Sequence, residues 1–322
     1  EAQEEKDPLI PEIDTSVEIQ AGSRVAVVSK STSGEFWGLV KKGMEQAIAD
    51  VNEAYGFKKE DQVTMTFEGA SDEKDVESQV NTIDAVIAEN PDVLCVSASD
   101  MDSLQAQLEA AKENGIPVVA FDSGVTDSKM IRAFRGTDNT RVGEIAAYRL
   151  ATAIGKMGKV AVFSAQEKTQ SIQERVSGFT NYITNYPDIE VVEIVYQDQV
   201  DDMTAAMQEV LDKYPQLDGV FCDNADIADL YLDMKKDETK DSIVMVGVDA
   251  TAKQQEAIRN SKEVGVVSQQ PYAMGYQTIW TALLTTAPKK SVEIKRNVRI
   301  DPAWIDSSNI DDPTYSSYLY AN

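Results

Sequence analysis

Apolar runs of near-alternating period and segments of helical period succeed one another along almost the whole chain. RVAVVS at 24–29 precedes a helical pattern from about Phe36 to Tyr55, followed by VTMTFEG, the helical DVESQVNTIDAVIAEN and DVLCVS. Strands joined through helices are parallel, and a parallel sheet needs helices on both faces, so few folds accept this rhythm. A helix near 102–114 stops at Asn114-Gly115, and Pro117 opens the strand VVAF. After Gly136-Thr137-Asp138-Asn139 the rhythm restarts. It runs through a helix to about Lys156, KVAVFSA, a helix after Ser171, EVVEIVY, a helix to Tyr214 and DGVFCDN. A helix near 226–236, IVMVGVD, a helix near 252–260 and EVGVVSQ complete the second set. A helix from about Met274 to Thr286 and the strand VEIKRNVRI then lead back to the first set, and the tail ends in the second. The expected architecture is α/β, with two similar doubly wound parallel-sheet lobes joined by three crossings that act as a hinge. The expected bounds are 23–137 plus 270–299 for the first lobe and 138–269 plus 300–322 for the second.

The chain has 322 residues, 42% hydrophobic and 26% charged, which suits a soluble protein with two cores. Asp and Glu outnumber Lys and Arg by 55 to 30, and a net charge of −25 repels a phosphate backbone or an anionic membrane surface. Nucleic acid is therefore not an expected partner. No run approaches the roughly 18 apolar residues that a bilayer span requires. The opening EAQEEKDPLIPEIDTSVEIQAG lacks the regions of a signal peptide and shows no period before Arg24. Residues 1–22 therefore read as a disordered acidic tether, or simply as a disordered end, with any export signal already removed. The two cysteines, Cys95 and Cys222, fall in apolar strands of different lobes, so no disulfide is expected between them. With no histidine and two scattered cysteines, a metal site, a cofactor and His-based catalysis are not expected.

Three of the strand-like runs stop at a small polar or acidic residue: VVAF at Asp122, VFCD at Asn224 and VMVGV at Asp249. In a parallel α/β sheet the carboxyl ends of the strands face the ligand, so these residues suit a hydroxyl-rich small molecule. Each also has a purely structural role open to it: Asp249 could cap the next helix, and Asn224 could serve a turn.

VAVVSKSTSGEFWGLVKKGM, VLCVSASD, IPVVAFDSG, GTDNTRVGEIAA, ERVSGF, VFCDN, VMVGVDAT and VVSQQP, in this order over about 23–310, resemble the type I periplasmic sugar-binding proteins. These are the ribose and galactose binders that deliver substrate to ABC importers. The resemblance implies a non-enzymatic, exported, monomeric binder of a sugar or polyol, served by a membrane permease and tethered through a lipid anchor on a removed N-terminal segment. It puts Phe36 and Trp37 where the family stacks aromatic rings on the sugar; both could be core residues at the helix start, but their adjacency after a Gly-containing polar loop favours contact. It makes Asp122 and Asp249 acceptors of sugar hydroxyls, with Asn224 and Gln269 as amide partners and Arg175 as a two-pronged donor.

Departures from the ribose binders bear on specificity. Ser123 stands where those binders carry an arginine, Ser97 and Gly34 stand where they carry asparagines, and Asn224 is followed by Ala225. Lys30 and the Asp122-Ser123 pair resemble the rhamnose and autoinducer-2 binders, so a deoxysugar or autoinducer-2 is an alternative ligand. Presentation of ligand to a membrane sensor kinase is an alternative role. A lactose-repressor-like regulator would need a DNA-binding helical domain in front, and an enzyme would need a nucleophile motif; neither is present in the sequence as given.

Overall fold

The runs VLCV, VVAF and GVFC are buried along their whole length, as strands covered on both faces must be. The computed structural model describes residues 6–239, 241–288 and 290–320. In chain order these form β1 (Arg24–Ser29), α1 (Glu35–Tyr55), β2 (Thr64–Gly69), α2 (Val76–Ala88), β3 (Val93–Val96), α3 (Gln105–Glu113), β4 (Val118–Phe121) and β5 (Ala133–Thr137). There follow α4 (Asn139–Ala153), β6 (Gly158–Ser164), α5 (Gln170–Ile183), β7 (Ile189–Tyr196), α6 (Met203–Lys213), β8 (Gly219–Cys222), α7 (Ala225–Met234), β9 (Val244–Val248), α8 (Ala252–Arg259) and β10 (Gly265–Ser268). Last come α9 (Pro271–Leu284), β11 (Asn297–Ile300) and β12 (Ala303–Asp306). Side-chain oxygens fix several helix starts: Asp75, Asp138, Asp202, Asn224 and Thr251 each accept a first-turn N–H of α2, α4, α6, α7 and α8.

Two compact units result. Unit 1 comprises the chain to Thr137 and Pro271–Ile300, and unit 2 comprises Asp138–Gln270 and the chain from Asp301. The unit 1 sheet has the order β11-β5-β4-β3-β1-β2, with every neighbouring pair parallel. Strand alternation sends Val25, Val27, Cys95 and Phe121 to one face, with α1 and α9, and Ala26, Val28, Leu94 and Ala120 to the other, with α2 and α3. The unit 2 sheet repeats the order as β12-β10-β9-β8-β6-β7, with β12 antiparallel to β10. Cys95 and Cys222 are free, and burial pushes both thiols well above their ordinary value.

Close helix pairs set the spacing in each unit. A Cβ on Gly43 of α1 would stand 2.0 Å from the Tyr272 carbonyl oxygen of α9, and one on Gly143 of α4 would stand 2.1 Å from the Arg175 carbonyl oxygen of α5. Backbone cannot step aside as a side chain can. Gly43→Ala is therefore expected to lower unit 1 stability by about 2 kcal/mol, despite alanine's better helix propensity, as read by urea unfolding.

Three expectations need correction. Residues 6–22 are not a solvated tether: Ile19 is buried, and Leu9, Ile10, Ile13 and Val17 pack on the core that α1 and α9 share. Tyr55 Oη donates to the Val17 carbonyl at 2.6 Å, with that of Asp14 at 3.0 Å, and Gln277 Nε2 donates to that of Leu9, so the segment is tied down without a regular element. Residues 1–5 lie outside the described part. Secondly, only Asn297–Ile300 of VEIKRNVRI is a strand, because its register on β5 begins at Asn297 opposite Phe134. Thirdly, α9 starts at Pro271 rather than near Met274, which fits proline's tolerance for a first helical turn.

Candidate functional site

In unit 1 the carboxyl ends of adjacent strands bring three of the expected residues into contact. Lys30 follows β1, Ser97 follows β3 and Asp122 follows β4. Lys30 Nζ lies 2.7 Å from Asp122 Oδ2, and Ser97 Oγ donates to the same oxygen at 2.6 Å. All three are buried, with the Lys30 and Asp122 side chains only 5% and 4% exposed. An ion pair this dry is costly to assemble from water and is held together by its hydrogen bonds. Asp122 has φ +62°, a left-handed conformation that Asp accepts better than most residues. Ser123 is buried beside it, its N–H directed to the Phe121 carbonyl.

The aromatic pair divides. Trp37 belongs to the core, edge-on to Phe121 with centroids 6.4 Å apart, and its Nε1 donates to Glu73 at 2.8 Å. Phe36 is half-buried, edge-on to Trp37 at 4.9 Å, and starts α1 directly after the loop from β1. Of the two, only Phe36 keeps a substantial exposed surface.

Unit 2 repeats the device. Asp249 follows β9, the fourth strand of its unit as β4 is of the first, and again has a left-handed φ, +76°. Its Oδ1 accepts from Gln269 Nε2 at 2.8 Å and from Tyr320 Oη at 2.7 Å, while Oδ2 accepts from the Ala225 N–H at 3.0 Å. Asp249 does not cap the following helix, since Thr251 does so through the Gln254 N–H. Asn224 does cap α7, its Oδ1 accepting from Ile227 N–H at 2.9 Å, which leaves its amide NH₂ as the group able to donate elsewhere.

Arg175 comes from α5. Its Nε donates to Asn139 Oδ1 at 3.0 Å and one Nη to the Asp223 carbonyl at 2.9 Å. Asp223 is wholly buried and accepts from Ser164 Oγ and, at 3.1 Å, from Ala165 N–H. Burial pushes its carboxyl up to about 6, against the opposing pull of Ser164 and the Arg175 charge.

Four residues of this network escape a reading of the sequence: Asn139, Ser164, Asp223 and Tyr320. Asp223 adjoins the recognised Asn224, and Asn139 lies in the quoted GTDN run, so both had a neighbouring signal. Tyr320 had none, being placed by the tail alone. Tyr320→Phe removes one donor from a buried carboxylate and is expected to cost about 1 kcal/mol of unit 2 stability, measured by urea unfolding.

Two α/β units, each ending its parallel strands in buried polar side chains around a left-handed aspartate, define a two-unit solute-binding class of protein. A profile of the periplasmic binding protein domain matches residues 25–287, and the chain belongs to that family. It is 27% identical over 203 residues to the ribose import binding protein of Bacillus subtilis, covering 63% of this chain and 66% of that protein. With the ribose import binding protein of Escherichia coli the identity is 24% over 191 residues, covering 59% and 64%. The matched part thus spans just under two thirds of these relatives. Among solved structures, an ABC transporter solute-binding protein from Agrobacterium vitis with bound D-fucose is similar with TM-score 0.83 at 28% identity, covering 92% of this chain and 100% of that one. A carbohydrate transporter solute-binding protein from Agrobacterium radiobacter in complex with D-arabinose gives 0.82 at 27%, covering 92% and 98%.

Proposed function

We propose that this protein is an extracytoplasmic binder of a sugar or sugar-like polyol, which it delivers to an ABC importer without chemical change. The observation that carries the reading is the twin aspartate: Asp122 and Asp249 end the fourth strand of their units, each buried, left-handed and ringed by donors. A carboxylate held this way offers its remaining lone pairs to neighbouring hydroxyls, and charge assistance strengthens each bond. The Asn224 amide and the Arg175 guanidinium supply donors, Gln269 sits against Asp249, and Phe36 offers a flat ring for sugar C–H groups. Occupancy favours whichever conformer binds the ligand more tightly. Micromolar binding corresponds to about 8 kcal/mol, within reach of such a polar network and one aromatic face. The sugars bound by the relatives above support the ligand class. Within it, the Lys30–Asp122 ion pair and Ser123 favour a second reading, a deoxysugar such as rhamnose or autoinducer-2.

A thermal-shift panel of D-ribose, D-allose, D-arabinose, D-fucose, xylitol, L-rhamnose and autoinducer-2 tests the reading. At a hundredfold excess over Kd, a true ligand adds about 2.7 kcal/mol and raises Tm by several degrees. A panel in which nothing moves Tm, at concentrations that saturate micromolar sites, rejects the proposal.

A further inference from the structure

Three side-chain oxygens with no hydrogen-bond partner are buried in the unit 2 interior, two of them beside Gly247. Both carboxyl oxygens of Glu263 and Oε1 of Gln254 are unpartnered, and both side chains are essentially inaccessible. They crowd the bare backbone of Gly247 in β9: a Cβ there would stand 2.2 Å from Glu263 Oε2 and 2.5 Å from Gln254 Oε1. The Gln254 amide cannot be turned to relieve this. Its Nε2 donates to the Val248 carbonyl at 3.0 Å, and a flip would set an oxygen against that carbonyl. Buried acceptors without a partner are costly, and a proton on the carboxyl would give both groups one.

We propose that Glu263 is held as the neutral acid and donates to Gln254 Oε1, fixing the amide that supports the Val248–Asp249 turn, so that Glu263 is a positioning residue for Asp249. The chain of contacts is short. Gln254 grips the carbonyl just before Asp249, whose N–H in turn donates to Val267 at 3.0 Å. The turn it steadies holds a left-handed non-glycine residue, a conformation that persists only when its surroundings enforce it. The groups facing Glu263 do nothing to ionise it. They are Gln254 from α8, Gly247 from β9, the Cys222 thiol from β8 and the Asp229 carboxylate from α7, and no cation pairs with Glu263 among the described residues. Burial, with Asp229 adding repulsion, pushes the Glu263 carboxyl well above its ordinary value.

The consequence for pH has a definite sign. A carboxyl whose folded value is raised gives stability that is complete below its unfolded value and is lost as pH climbs toward the folded one. Asp223 has the same sign, but its value of about 6 confines its effect to lower pH. From pH 6.5 upward the parent should therefore lose about 3 °C of Tm per pH unit for as long as Glu263 keeps its proton in the folded state.

The role for Asp249 rests on the sugar reading above, so the test has arms with and without ligand. Glu263→Gln keeps a donor toward Gln254 and should flatten the Tm slope over pH 6.5 to 8.5. Glu263→Leu should also flatten it, but should speed hydrogen exchange of the Asp249 amide at least tenfold at constant global stability. For whichever of D-ribose, D-arabinose and D-fucose raises the parent Tm most, Glu263→Gln should bind within twofold of the parent and Glu263→Leu at least fivefold more weakly. A parent slope that survives in Glu263→Gln overturns the neutral acid, and unchanged Asp249 exchange in Glu263→Leu overturns the positioning role. If none of the sugars moves Tm while the slope and exchange behave as stated, the sugar reading fails and this one stands.

Discussion

Arg175→Ala should weaken the best-binding sugar at least tenfold, about 1.4 kcal/mol, and should lower the stability of unit 2 by about 3 kcal/mol. The second effect follows from what the guanidinium leaves behind. Asn139 Oδ1 and the Asp223 carbonyl both lose their donor inside the protein, and the wholly buried Asp223 carboxyl loses the cation that opposes its desolvation. The deficit should depend on pH. Asp223 already has a raised value of about 6, so its contribution to stability is greatest below the ordinary aspartate range and fades as pH rises. Without Arg175 that value rises further, and the destabilisation should be larger at pH 8 than at pH 5. Urea unfolding at the two pH values reads this directly. Arg175→Lys is the control, retaining the charge but losing the fork, and should fall between parent and alanine. An alanine variant with equal deficits at both pH values would show that the cation does not act through Asp223.

The second large effect lies in unit 1. Lys30→Met should cost about 3 kcal/mol, because it removes the cation from a buried ion pair and leaves the Asp122 carboxyl in a dry site with the Ser97 Oγ hydrogen bond. Asp122→Asn should cost somewhat less, since asparagine also tolerates φ near +62° and can still accept from Ser97. The double variant should regain at least about 1 kcal/mol over the sum of the singles, a coupling that a solvated pair would not show. On the proposed function, sugar binding should not return with stability, because the double variant lacks the carboxylate assigned there to the hydroxyls. If unfolding measurements on the four proteins are additive within about 0.5 kcal/mol, the pair is not a unit.

Much of the fold was legible before any coordinates. The switch between strand and helix periods is local, and so is the ending of a buried run at Asp122, Asn224 or Asp249. What escaped depends on distant surfaces. Residues 6–22 have apolar side chains at Leu9, Ile10, Ile13, Val17 and Ile19 without a period, and they bury because α1 and α9 present a receptive face. VEIKR has strand-like composition but stands before the point where β11 pairs with β5. The pairing of Phe36 with Trp37 suggested two ring contacts, yet helix geometry turns Trp37 into the core and leaves Phe36 half-exposed.

The amino-acid order by itself determined the parallel α/β arrangement and the residues that finish its strands, because hydrophobic period and strand length are properties of neighbours along the chain. Only the tertiary structure decided the partners: Lys30 for Asp122, Tyr320 for Asp249 across 71 positions, and the approach of both Glu263 and Gln254 to Gly247. Such pairings arise where strand ends and helix starts converge in space. A charged or polar side chain takes its role there from the water it has lost and the donor it meets, and neither is written in its immediate sequence.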